Sequence, residues 1–199
     1  MCRLANIAVF ASHGGSDLQA IMDACADGRL AAKVALVISN NSGAMALQRA
    51  KNAGIPALHM SSATIKDADV LEKTMRDTLL SHNIHIIFLA GYLKPLGLSI
   101  LKTYENRVFN IHPSLLPKFG GKGMFGIHVH TAVIAAGETE TGITIHRVIE
   151  AYDKGEIIAQ RRVPVLPDDT PEILAARVLK EEHVFIVDVL AQIIDSQRI

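Results

Sequence analysis

Continuous apolar runs alternate along this chain with segments whose apolar positions recur every three or four residues. Arg3 to Ala11 reads as a buried strand. From Asp17 to Ala26 the period changes: Leu18, Ile21, Met22 and Cys25 fall on one helix face. Ser16 followed by Gln19 carries a capping-box signature, and Gly28 is placed to end that helix. The alternation continues through a strand at Val34–Ser39, a helix at Ala44–Ala53, a short strand at Pro56–Met60 and a helix at Asp67–Ser81. That last helix carries Val70, Leu71, Met75 and Leu79 along one side. Strands follow at Ile84–Ala90 and Arg107–Ile111.

Strands that are apolar throughout, rather than at every second position, belong in a parallel sheet covered on both faces. The predicted fold is therefore α/β: an open, mostly parallel twisted sheet with helices on both faces. The second half reads differently. A helix over His128–Ala136 precedes two longer strands, Gly142–Val148 and Ile157–Val165, which suggest an antiparallel extension. Thr170-Pro171 opens a final helix with Pro in its first turn, striped by Ile186, Val189, Leu190, Ile193 and Ile194.

Composition narrows the class. The 199 residues fit one domain and can bury a real core. Twenty basic residues balance twenty acidic ones, which argues against a nucleic-acid or membrane partner gripped by bulk charge. No apolar run reaches the roughly 18 residues of a membrane span. No secretory leader is evident. The expectation is a soluble cytoplasmic protein. Cys2 and Cys25 form neither a disulfide framework nor a zinc motif, and both read as inert.

Two segments carry candidate chemistry. Ser12-His13-Gly14-Gly15-Ser16-Asp17 links the first strand to the first helix. Glycines permit a tight turn, and a helix N-terminus offers free N–H groups to an anion. The pattern matches neither a dinucleotide fingerprint nor a Walker loop. Asn110-Ile111-His112-Pro113-Ser114-Leu115-Leu116-Pro117 follows the fifth strand, where open α/β sheets bind ligands. Asn110 and His112 lie two apart on extended chain and so share a face. Together they suit polarisation of a carbonyl and stabilisation of the oxyanion formed on attack.

The second segment resembles the Asn-x-His-Pro-Ser-Leu-Leu-Pro signature of the 10-formyltetrahydrofolate-dependent formyltransferases. Further segments resemble the same family in order along nearly the whole chain: Leu89–Lys94, Gly126–His130, Gly142–His146 and Asp153–Gln160. The first loop is similar to the phosphate loop of the family's purine-pathway branch. The resemblance implies a single Rossmann-like formyltransferase domain over residues 1–199. Its N-terminal half would form the phosphate side, and its C-terminal half the folate and catalytic side.

The resemblance also implies an activity: transfer of the formyl group of 10-formyltetrahydrofolate to the primary amine of glycinamide ribonucleotide. It assigns catalysis to Asn110, His112 and Asp153, with Asp153 favouring a charged His112 and accepting the amine proton. It assigns the ribonucleotide to Gly14, Gly15, Ser16, Asp17 and Glu182. It assigns the folate co-substrate to Leu93, Lys94, Leu96, Ala151, Tyr152 and His146. No metal is implied, and the expected assembly is a monomer or homodimer. Alternatives are a formyltetrahydrofolate deformylase, a formyltransferase with another acceptor, or a non-catalytic anion-binding relative.

Departures from the family pattern concern anion affinity. Asp17 stands where the family usually has Asn, and His13 where a small residue is usual. Between Pro117 and His128 the chain is longer than the compact family form, and its four glycines suggest a mobile loop. Lys118 and Lys122 in that loop read as solvated, as do Arg161 and Arg162. His128 and His130 share a helix face poorly and do not read as a metal pair. His59, His82 and His85 read as surface or strand-end residues.

Overall fold

The computed structural model describes residues 4–197, so the Arg3 strand start and Cys2 lie outside the described residues. The sheet strands are β1 (Ala5–Phe10), β2 (Ala32–Ser39), β3 (Ala57–His59), β4 (Ile86–Leu89), β5 (Val108–His112), β6 (Glu140–Arg147) and β7 (Ile157–Pro164). The helices are α1 (Ser16–Ala26), α2 (Met45–Asn52), α3 (Ala68–Ser81), α4 (Leu98–Thr103), α5 (Ile127–Ala135) and α6 (Pro171–Gln197). Spatial order is β3-β2-β1-β4-β5-β6-β7. The first five strands are parallel, while β6 and β7 run antiparallel. Both the open parallel sheet and its antiparallel extension match the expected fold.

The apolar runs of β1, β2 and β4 are continuous because each of these strands feeds two cores. Ile7 and Val9 of β1 join one layer with Leu18 of α1, Leu47 of α2, Val129 of α5 and Leu190 of α6. Ala8 and Phe10, pointing the other way, join Met75 and Leu79 of α3 and Ile100 of α4. β4 divides likewise: Ile86 and Phe88 face the first layer, Ile87 and Leu89 the second. Phe88 is fully buried at the sheet centre. Phe88→Ala is expected to cost about 3–5 kcal/mol, read as a lower urea midpoint at unchanged slope. A loss under about 1 kcal/mol would contradict the packing described.

Several local expectations need correction. Ser16 does not cap α1: the cap is Gly15 at φ 68°, with no side-chain hydrogen bond. The Gln19 side chain instead bonds Asp23 and Arg49. A Cβ on Gly15 would also meet the Ala46 Cβ at 2.8 Å, so α2 packs where any larger residue would stand. Val70 is 51% exposed, leaving Leu71, Met75 and Leu79 to anchor α3. Short α4 was not foreseen. Arg161 is not simply solvated, since it pairs with Glu181 and Asp188 of α6 and lies 5.0 Å over the Phe185 ring. Among the described residues, no helix is long and apolar enough to cross a membrane.

Candidate active site

Strand order reverses at β1, which has β2 on one side and β4 on the other. Open α/β sheets bind ligands outside the carboxyl ends of strands at such a point. A cleft of about 750 Å³ lies there, within the range that accepts small molecules. It gathers every candidate residue: the Gly14–Asp17 turn after β1, Leu93, Lys94 and Leu96 after β4, Asn110 and His112 of β5, His146 of β6, Ala151, Tyr152 and Asp153 beyond it, and Glu182 of α6. Leu96 is buried and belongs to the second core layer, whereas Lys94 and Tyr152 are exposed.

The polar centre follows from strand periodicity. Phe109 and Ile111 of β5 face the first core layer, as do Ile143 and Ile145 of β6. Asn110 and His112 therefore turn to the opposite face. The antiparallel register sets Asn110 against His146 and His112 against Thr144. Asn110 Nδ2 lies 3.1 Å from His146 Nε2. His146 Nδ1 donates to the Arg147 carbonyl at 2.8 Å. Its Nε2 also lies 3.4 Å from Asp153 Oδ1. That nitrogen accepts from the amide when neutral and donates to the carboxylate when charged.

Asp153 reaches the centre from a turn rather than a strand. Its φ is 51°, a conformation that Asp and Asn tolerate better than most residues. Gly155, two residues on, lies so close to the Arg147 carbonyl that a Cβ has no room. Asp153 Oδ2 accepts the Gly121 N–H at 2.8 Å and faces His112 Nδ1 at 3.7 Å. Burial pushes this carboxyl up, but the His146 and Gly121 hydrogen bonds and the two nearby imidazoles outweigh it and hold it below the usual range.

His112 departs from the expectation that Asp153 keeps it charged. It is 4% exposed, and burial lowers its pKa more than Asp153 and the Phe119 carbonyl raise it. Its Nε2–H donates to the Phe119 carbonyl at 2.8 Å. The glycine loop is thus less free than its composition suggests, because Phe119 and Gly121 both bond the polar centre. Lys118 is turned to Glu138 at 2.7 Å, while Lys122 lines the cleft.

Behind His112, His130 of α5 is 4% exposed and its Nδ1 has no hydrogen-bond partner among the described residues. Burial first, and the His112 charge second, push His130 down to about 4. A folded pKa below the unfolded value of about 6.5 means that stability present above pH 6.5 is lost as pH falls toward 4. The loss is on the order of 3 kcal/mol at its limit. Thermal melts between pH 7 and 4.5 should show a smaller acid shift for His130→Leu than for the parent. Equal shifts would show that His130 does not carry this proton.

Residue patterns had not pointed to two loop clamps. Ser12 Oγ bonds Asn40 at 2.5 Å and accepts the Leu93 N–H at 2.9 Å, tying the loops after β1, β2 and β4 together. Arg49 Nε donates to the Gly14 carbonyl at 2.9 Å, bracing the Gly14–Asp17 turn from α2. Ser12 opens the glycine turn, but its partners lie 28 and 81 residues away, and Arg49 belongs to no local motif that would have flagged it. Among the described residues, no cluster of three or more His, Cys, Asp or Glu side chains has metal-holding geometry.

Comparison with known proteins gives a consistent result. A family model described as formyl transferase matches residues 5–190. A chloroplastic phosphoribosylglycinamide formyltransferase of Vigna unguiculata is 44% identical over 98% of this chain, which spans 62% of that relative's length. A phosphoribosylglycinamide formyltransferase of Haemophilus influenzae is 38% identical over 89% of this chain and 81% of its own. The crystal structure of glycinamide ribonucleotide transformylase 1 from Symbiobacterium toebii superposes with a TM-score of 0.90 at 36% identity. It covers 97% of this chain and 89% of that one.

Proposed function

The chain belongs to the formyl transferase family, and from that premise we propose that it moves a formyl group from 10-formyltetrahydrofolate to the primary amine of glycinamide ribonucleotide, in purine biosynthesis. The observation that carries this reading is the convergence of Asn110, His112, His146 and Asp153 on the cleft that also receives the Gly14–Asp17 turn. The N-terminal half then supplies the phosphate side, with Glu182 of α6 closing it. The C-terminal half supplies the folate wall and the chemistry, in a soluble cytoplasmic protein.

The reaction follows from the donor set. The amine nitrogen attacks the formyl carbon, and the carbonyl electron pair moves onto oxygen. The Asn110 amide N–H is placed to stabilise that oxyanion. His112 starts neutral with its Nε2–H held by the Phe119 carbonyl. Binding exchanges that carbonyl for the formyl oxygen, and the developing negative charge raises the imidazole's affinity for a proton. Asp153, with its charge retained by His146 and the Gly121 N–H, takes the amine proton through water. Collapse breaks the bond to the folate nitrogen, which receives that proton back from Asp153 through water, and the products are a formamide and tetrahydrofolate.

The test is an assay with both substrates, following folate absorbance and formate release. Ribonucleotide-dependent product without free formate is expected. Formate release without transfer would replace the reading with hydrolysis, and absence of both would overturn it.

A further inference from the structure

The acidic residue in the anion turn has an unusual neighbourhood. Asp17 opens α1 beside α6, where Glu182 and His183 are consecutive. Asp17 Oδ1 lies 3.7 Å from His183 Nε2. Both atoms are shut off from solvent, and neither has a hydrogen-bond partner among the described residues. The separation is too long for a hydrogen bond and short enough for a strong charge interaction. Glu182, 7% exposed, completes a buried pair of carboxyls beside one imidazole.

Other charged groups on the packed elements are committed or distant. Arg49 of α2 spends its guanidinium on the Gly14 carbonyl and Gln19. Lys33 lies exposed near the start of β2, at the other end of the sheet. His13 and His128 are exposed on the cleft wall. His183 is the group found within ion-pair distance of Asp17 among the described residues.

An unpaired carboxylate at this turn would repel a phosphate dianion held by the neighbouring N–H groups. We infer that His183 is a positioning residue that shares a proton with Asp17, so that the turn captures a phosphate monoester while the pair holds that proton and loses affinity once it departs. This inference rests on the phosphate-loop reading above. With the proton the pair is neutral overall, and without it a net negative charge faces the ligand. Burial raises the Asp17 carboxyl to about 6, against the lowering influence of His183. Burial first, and the Asp17 charge second, raise the Glu182 carboxyl well above its ordinary value.

The test is calorimetric binding of glycinamide ribonucleotide and of inorganic phosphate between pH 6 and 9. It compares the parent, Asp17→Asn, His183→Gln and the double variant. The parent should weaken with rising pH by about tenfold more than Asp17→Asn, which shares only the ligand's own titration. His183→Gln should weaken binding about tenfold at neutral pH, and adding Asp17→Asn should restore it. Equal weakening of His183→Gln and the double variant would overturn the inference, as would matching pH profiles for the parent and Asp17→Asn. If the parent binds neither ligand at any pH, the phosphate-loop reading itself falls, and the proton-sharing pair with it.

Discussion

Asn110→Ala should fold normally and lose about 10²–10³ in turnover, because removing one donor to a developing oxyanion typically costs that much. Asn110 lies on the open face of β5, and its amide hydrogen-bonds the His146 ring among the described residues. Its backbone stays in the β5–β6 ladder whatever the side chain. The thermal midpoint should therefore move little while the rate collapses. His112→Ala should lose a similar factor, with more loss of stability, since that ring is buried and donates to Phe119. Initial rates at saturating folate, with melts on the same samples, check both. Near-parent turnover in either variant would remove that residue from the reaction.

Asp153→Asn is the second large effect, and it separates charge from shape. Asn accepts the same positive φ and keeps an oxygen for the Gly121 N–H. What disappears is the negative charge facing two imidazoles. His112, already lowered by burial, then loses the group that pulls its pKa back up. The amine proton also loses its acceptor. Turnover should fall by about 10²–10⁴. The pH–rate profile should in addition lose the acid limb that reports protonation of Asp153. Because that carboxyl is held below its usual range, the parent's limb lies on the acid side of an ordinary aspartate. A variant that kept the parent's profile would show that Asp153 does not titrate in the reaction.

The sequence disclosed the parts of this protein that obey a period. β1, β2 and β4 could be read because each buries both faces and leaves an unbroken apolar run. Asn110 and His112 could be placed on one face because strands alternate. Helix α4 left little trace: its six residues bury only Ile100. The failed Ser16 cap and the exposed Val70 share a cause, since packing against α2 and the sheet chose among locally reasonable options. The charge state of His112 was out of reach for another reason. Burial and a neighbouring carboxylate oppose each other there, and their balance depends on depth rather than on residue type. The bonds from Phe119 and Gly121 were equally hidden, being made by backbone atoms that carry no identity.

The Asn110–His146 pairing across β5 and β6 separates two tasks that many sites leave entangled. Relative placement of these two side chains is inherited from a hydrogen-bonded ladder, whose repeat is fixed by backbone dimensions. The segment carrying Ala151 and Tyr152 lies outside that ladder, between β6 and β7. On the proposed function, the upstream part of this segment could be recast for altered folate analogues, provided Asp153 and Gly155 keep their places. Shifting the β5–β6 pairing by a single residue would instead turn His146 to the apolar side of the sheet. The proposed folate wall at Ala151 and Tyr152 is written in a loop and the Asn110–His146 placement in a register, so the two can evolve separately.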